Sequence, residues 1–479
     1  MNILRAQVPN ILVVVAFCLL ALLSLTNLTE SPQTWMDEGA IDQVAMNLAK
    51  NGIYGYQIAP GRFISAEFLT TGYPVVYPVA ISFLLLGTNL LAARLIMVLF
   101  ILLLGVSVYW YVKLLAPNEQ SHYILPVLSL FLLVSFAPLY GHGKNVLGEV
   151  PGLVFFVLSL LSLLIFERWN RAWWLPLMTG VLSGLAMATK PLYLILILPS
   201  YLCVVLLLKR KSFSFREKGL FVLGMLVPLI LWVIAQSGDS SVLHIFSYGN
   251  PNNTPLTSLI TKNSMRFFSE FQPIYFLGLV ILWWVGVALR KREGIQIRSA
   301  ELIAIVFSLL NIISFVTTRG FYRYFFPSQV LALLFLPYAL YSCMRLWLSH
   351  TRSLRFSALA LIALIGLQSY QLFFHSWVSD SQKSVRSSVL TRELGKIAPE
   401  QSVFFYHVPE AVLFLPHDNY YQYLKFADTV ERGDELFPLL LTGVPSLLLV
   451  DARFSTSSAL LNRYKEKSHF DKYTLYEKK

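Results

Sequence analysis

The hydrophobic positions of this chain fall into long unbroken runs rather than the short alternations of a soluble fold. The first extends from about Val8 to Leu28, after Arg5. Further runs begin near Asn89, Ser121, Val150, Trp173, Pro191, Gly219, Pro273, Ala300, Tyr324 and Phe356. Each is about 17–22 residues long, enough to cross a hydrocarbon core of roughly 30 Å. The pattern predicts a mainly α, polytopic membrane protein of about 11 transmembrane helices. One further apolar stretch, Tyr73 to Leu86, is bracketed by Gly72, Pro74, Pro78 and Gly87. It reads as an interfacial or re-entrant helix, because counting it as a span would turn every later loop to the other side.

Polar positions fill two places. Between the first two spans, Thr34 to Gly52 carries Ile41, Val44, Ala45 and Leu48 at three- and four-residue spacing, the stripe of an amphipathic helix. Thr34 or Asp37 can cap its start and Asn51-Gly52 can end it. It is predicted to lie on the membrane surface with Asp37 and Glu38 in its first turn. The second polar region follows about His375. There Ser402–Tyr406, Ser446–Asp451 and Lys472–Tyr476 read as strands, and Leu436–Thr442 and Ser457–Lys467 as helices. The expected division is a transmembrane domain over 1–375 and a small α/β domain over 376–479.

Composition agrees with the span reading. The 479 residues are 56% hydrophobic and 13% charged, where soluble domains average roughly 25% charged. The net charge of +12 lies entirely before Ser376. Its basic residues cluster in alternate connections: Lys113; Arg168 and Arg171; Lys209 to Lys218; Arg290 to Arg298; and Arg345 to Arg355. This bias places those loops and the N-terminus in the cytoplasm, and the remaining connections and the C-terminal domain outside. The excess suits membrane lipid headgroups, and no aromatic-interleaved module for nucleic acid accompanies it. Cys18, Cys203 and Cys343 sit in apolar runs, with neither disulfide-framework nor metal spacing.

Chemistry is then sought among ionisable groups at the outward ends of the spans, because such groups are costly inside a bilayer. They are Asp37, Glu38, Arg62, Glu67, His142, Lys144, Glu149, Lys190, Lys262, Arg266, Arg319 and Arg323. Acids and cations meeting at one interface suit transfer from an anionic lipid: a carboxylate takes a proton from the acceptor, and a cation stabilises the departing phosphate. Each group also has a structural reading. Asp37 can be an N-cap, Glu149 a cap of the fourth span and Lys190 an interfacial anchor. Arg319 and Arg323, one helical turn apart, can hold headgroups.

Several segments carry a resemblance. Trp35-Met36-Asp37-Glu38-Gly39, Gly72-Tyr73-Pro74, Leu90 to Leu95, Gly148-Glu149-Val150-Pro151, Gly184 to Lys190 and Tyr322 to Pro327 occur in that order. The set resembles the GT-C glycosyltransferases that use polyprenyl-phosphate sugars, among them the protein O-mannosyltransferase and aminoarabinose-transferase relatives. It covers most of residues 1–345. The resemblance implies inverting transfer from a polyprenyl phosphate such as undecaprenyl phosphate to a lipid, glycan or protein acceptor. Asp37 would be the base, Glu38 would orient the acceptor or substitute for Asp37, and Glu149 would be the second acid where Asp is usual. Arg319, Arg323, Lys190, Lys144 and His142 would face the donor phosphate. Tyr73, Arg62, Tyr322 and Tyr324 are candidates for substrate contact. No cofactor is required, and the carboxylates leave room for a divalent metal. The compact length suits a bacterial plasma membrane. A transporter or flippase would instead place charges at mid-span, and a polysaccharide polymerase or ligase would carry its main outer loop late in the chain.

Overall fold

The computed structural model of the chain describes all residues except 1, 68, 117–118, 169–170, 210–211, 237–253, 270, 425–443 and 454–457. The first apolar run forms α1 (Asn2–Leu25), and the amphipathic stretch forms α2 (Met36–Asn51). A hairpin, β1 (Gly55–Ala59) and β2 (Arg62–Ser65), leads to α3 (Tyr73–Leu86). The bundle continues through α4 (Leu90–Leu115), α5 (Glu119–Val134), α6 (Ala137–Gly143), α7 (Glu149–Arg168), α8 (Trp174–Thr189) and α9 (Pro191–Tyr201). It is completed by α10 (Phe215–Gln236), α11 (Leu256–Ser269), α12 (Phe271–Arg292), α13 (Ser299–Thr317), α14 (Tyr322–Arg345) and α15 (His350–Phe374).

Among the described residues, six helices are long and apolar enough to cross a membrane, seven if α5 and α6, bent by 59°, form one span. The predicted runs are therefore of unequal length. Asn10–Leu25, α3 and α8 are shorter apolar helices, as is the Pro191–Val205 stretch. The break between α8 and α9 has a local cause. Lys190 is extended, at φ −160° and ψ 138°, and Pro191 has no N–H with which to continue the ladder. The helix stops where the sequence needs a lysine side chain to leave it.

The C-terminal residues form α16 (Trp377–Ser381), α17 (Arg386–Leu394) and a five-stranded sheet. Its strands are β3 (Val403–Tyr406), β4 (Tyr420–Tyr423), β5 (Leu447–Asp451), β6 (Tyr464–Phe470) and β7 (Tyr473–Lys478), in the order β4-β3-β5-β7-β6. β3 runs parallel to β4 and β5, whereas β7 is antiparallel to β5 and β6. The expected helix over Ser457–Lys467 is corrected: only Ser458–Leu461 is helical, and Tyr464 begins a strand. Pairing with β7 across a turn at Asp471 (φ 50°) overrides the helix preference of the Lys-Glu-Lys run. The expected helix at Leu436–Thr442 lies outside the described residues.

Two cores organise the molecule. One fills the bundle. The other joins Val44 of α2, Val75 of α3 and Met97 of α4 to Leu390, Phe405 and Val412 of the C-terminal region in a single apolar cluster. A 3-10 turn, Pro409–Phe414, lies directly on α2: a Cβ on Gly39 would stand 2.2 Å from the Cα of Glu410.

Candidate functional site at the sheet end of the bundle

The site begins with the first turn of α2. Trp35 precedes the helix in extended conformation and no side chain caps it, so Asp37 is not an N-cap. Its Oδ2 instead accepts from Nη1 of Arg323 at 2.7 Å. Arg323 lies in the first turn of α14, with its guanidinium 4.8 Å from the Trp35 ring centre and 5.2 Å from that of Tyr324. The same guanidinium approaches Oε1 of Glu149 at 3.9 Å. Glu149, fully buried at the start of α7, pairs with Lys190, whose ammonium also lies 5.5 Å from the Tyr324 ring. Oε2 of Glu149 has no hydrogen-bond partner in the protein. Two acids and two cations from four segments thus form one chain: Asp37, Arg323, Glu149, Lys190. Asp37 and Arg323 keep 23% and 17% of their side chains exposed, so this end of the chain is open.

Local packing explains the convergence. A Cβ on Gly72 would stand 2.0 Å from the carbonyl oxygen of Ala188, and the Gly72 N–H donates to the carbonyl of Thr189 at 3.0 Å. A Cβ on Gly148 would likewise stand 2.9 Å from the Thr189 carbonyl oxygen. Two motifs far apart in sequence therefore dock on the end of a third, at the break before Lys190, and their glycines permit the approach.

Glu38 does a different job from its neighbour. Arg94 of α4 grips it bidentately, Nε to Oε1 at 2.8 Å and Nη2 to Oε2 at 2.7 Å, and both side chains are fully buried. Arg94 Nη1 also donates to the carbonyls of Leu28 and Pro32, and the Val146 N–H donates to Glu38. The resemblance implies that Glu38 orients the acceptor or substitutes for Asp37; the structure places both its oxygens in hydrogen bonds that tie α2 to α4 and two loops. Lys144 is also used structurally. Its Nζ donates to the Thr26 carbonyl at 2.8 Å, and burial pushes its pKa down to about 8.

The remaining candidates surround the cluster at different depths. His142 is packed edge-on to Phe326 and tilted against Trp377, with ring centres 5.7 and 5.5 Å away. Tyr73 packs edge-on to Tyr77 beside Ala188 and Trp232. Tyr322 lies under Arg266, 4.3 Å away, and stacks on Phe315. Arg319 is exposed, 6.0 Å from the Phe321 ring. Arg62 stands exposed at the turn of the hairpin. Neither arginine enters an ion pair with Asp37 or Glu149. Asp42, which sequence reasoning did not single out, is buried one turn after Glu38 with one oxygen unpartnered. Among the described residues no three His, Cys, Asp or Glu side chains converge as a metal ligand set.

Beside Arg323 opens a cavity of about 550 Å³, lined by Trp35, His142, Asn145, Trp377, Asp380 and Arg386 among others. The opposite end of the bundle holds the basic connections. There Arg290 clasps Glu301, and Glu167 accepts from the Ser299 N–H at 3.1 Å. A multi-pass membrane protein with an acid–guanidinium cluster at one end is the class that fold and site define.

Comparison with known proteins refines the class. A family model described as dolichyl-phosphate-mannose-protein mannosyltransferase matches residues 74–235. ArnT from Cupriavidus metallidurans, solved with undecaprenyl phosphate bound, is similar at a TM-score of 0.63 and 14% identity, covering 98% of both chains. The oligosaccharyltransferase of Archaeoglobus fulgidus, tethered to an acceptor peptide, is similar at 0.53 and 12% identity, covering 97% of this chain and 73% of that one. A further structure of that archaeal enzyme, AglB, with an inhibitory peptide and a dolichol-phosphate, gives 0.53 over 94% of this chain and 70% of its own. No curated protein matches the sequence significantly. The chain therefore shares the fold of these two transferases, the fold expected from the resemblance of its motifs, and the family model matches about a third of its length.

Proposed function

We propose that this chain is an inverting glycosyltransferase that moves a sugar from a polyprenyl-phosphate donor to an acceptor at the extracytoplasmic face of a bacterial plasma membrane. The observation that carries the reading is Arg323, which holds Asp37 and approaches Glu149 with one guanidinium. An arginine is suited to a phosphate in two ways, permanent charge and a planar fork of donors. The donor phosphate takes Arg323 and Lys190 as its cations, and the fork that now binds Asp37 turns to phosphate oxygens. Asp37 is thereby freed beside the acceptor.

Transfer follows in one displacement. The acceptor hydroxyl or amine gives its proton to Asp37 while its lone pair bonds to the anomeric carbon. The bond from that carbon to the phosphate oxygen breaks on the opposite face, its electron pair leaves with polyprenyl phosphate, and configuration inverts. Glu149, locked to Lys190, sets the position of both cations. The binding of undecaprenyl phosphate by ArnT and of dolichol-phosphate by AglB supports the donor class. The test uses the purified chain in nanodiscs with a panel of polyprenyl-phosphate pentoses and hexoses. Asp37→Asn is expected to lose about 10²–10⁴ in turnover while donor binding persists. Undiminished turnover would remove Asp37 from the mechanism.

A further inference from the structure

The cavity that Arg323 helps to line extends past the cations assigned to the donor phosphate. Its two indoles come from different segments. Trp35 sits at the entry to α2, two residues before Asp37, and Trp377 opens α16 after the last span. Trp377 is held in place by Gly141 of α6, where a Cβ would come within 2.1 Å of the indole ring. It remains 42% exposed and lines the cavity. The polar lining consists of Gln33, His142, Asn145 and Ser381, with Arg323, Asp380 and Arg386 as its charged members. Arg386 is paired with Asp471 through Nε at 2.5 Å, and its Nη1 donates to the Thr34 carbonyl at 3.3 Å.

One atom asks for a ligand. Asn145 lines the cavity, is 3% exposed, and its Oδ1 has no hydrogen-bond partner in the protein. Its amide nitrogen is turned to the Gln33 carbonyl at 3.4 Å, which leaves the acceptor oxygen to be matched by a donor. A buried acceptor without a partner is costly, and a hydroxyl meets the need without adding charge. Asp380, exposed at the same rim, enters no ion pair with a described residue and offers two more acceptor oxygens. Flat apolar faces combined with uncharged and acidic acceptors are the complement of a sugar ring, which is apolar on its faces and hydroxylated at its edges. Of the two cations assigned to the donor phosphate, Arg323 lines the cavity and Lys190 is not among its lining residues.

We propose that the acceptor is a glycan and that this cavity holds its terminal sugar, stacked on Trp377, with hydroxyls on Asn145 and Asp380 and the attacking hydroxyl toward Asp37. This rests on the transferase reading but is tested without the donor. The full chain in nanodiscs is applied to an array of mono- to tetrasaccharides printed beside Ser- and Thr-containing peptides. Retention of a subset of the glycans is expected. Trp377→Ala and Asn145→Leu should each weaken that retention about tenfold, and Trp377→Phe, which keeps an aromatic face, about threefold or less. Thermal unfolding of each variant, matched to the parent, separates lost binding from lost fold; Trp377→Phe carries the comparison where Trp377→Ala does not assemble. Retention of peptides instead of glycans, of neither, or of glycans equally by all variants would overturn the proposal. Release of polyprenyl phosphate, measured separately, tells failure of the transferase reading from failure of this one.

Discussion

Glu38 and Asp42 stand one helical turn apart on α2, and both are buried, yet the guanidinium of Arg94 grips only Glu38. Burial, with the charge of Glu38 added, pushes the Asp42 carboxyl well above the usual carboxylate range, and Arg94 offsets this only in part. A carboxyl raised on folding stabilises the native state at low pH, and that stability is lost as pH rises through its folded-state value. Asp42→Asn is therefore expected to leave thermal stability near pH 4 little changed and to raise it as pH increases. A melting profile across that range checks the sign, and a variant that melts lower at every pH contradicts it. The Glu38–Arg94 pair behaves oppositely. Arg94→Met strands a buried carboxylate and should cost about 3–5 kcal/mol, whereas adding Glu38→Leu should recover part of that loss. The two acids of Asp37-Glu38 look equivalent in sequence. What separates their roles is partner choice: Arg94 is 56 residues away and Arg323 286 residues away, distances no local pattern encodes.

Among the elements, most apolar helices and the bounds of α2 were legible because helix period and bilayer thickness act locally. The expected place of α2 on the membrane surface was not its setting: its polar face, with Asp42, Gln43 and Asn47, is buried too. α2 spans Met36–Asn51 and ends at Gly52 in the left-handed conformation, as its Asn-Gly signal indicates. The motif positions of Glu149 and Lys190 were also legible, but their direct pairing was not. Less legible was anything set by a neighbouring strand. β6 is rich in Lys and Glu and reads as helix until β7 supplies its ladder. Equally hidden was the 3-10 turn Pro409–Phe414, which has no periodicity of its own and exists because α2 offers it a glycine. That contact gives a test at this scale. Gly39→Leu places a side chain where the Glu410 backbone now runs, so the turn must lift from α2. The expected cost is about 1–3 kcal/mol of stability. Transfer should fall with it, because the displaced residue is two positions from Asp37. Parent-like melting and turnover in Gly39→Leu would show that the contact yields without consequence.

For the whole molecule, topology and packing divide the chain differently. Topology separates it after α15, where the spans end. Packing does not, because α2, α3 and the start of α4 share their apolar core with Leu390, Phe405 and Val412. The seam also carries a polar network: Gln43 donates to the Tyr420 hydroxyl at 3.0 Å, Gln422 donates to Gln43 at 2.7 Å, and Lys50 pairs with Asp418 at 2.8 Å. Exposed edges of this kind rarely persist alone, since the apolar face loses its cover and the buried amides lose their partners. A chain ending after residue 375 should therefore fail to give a monodisperse species on size exclusion from mild detergent. Co-expression with a separate chain of residues 376–479 should restore part of the assembled fraction, because the seam is made of side-chain contacts rather than of chain connectivity. A well-behaved, active 1–375 would mean that α2 holds Asp37 against Arg323 unaided. Recovery only with the second chain would mean that the sheet is what presses the acid-bearing helix onto the bundle.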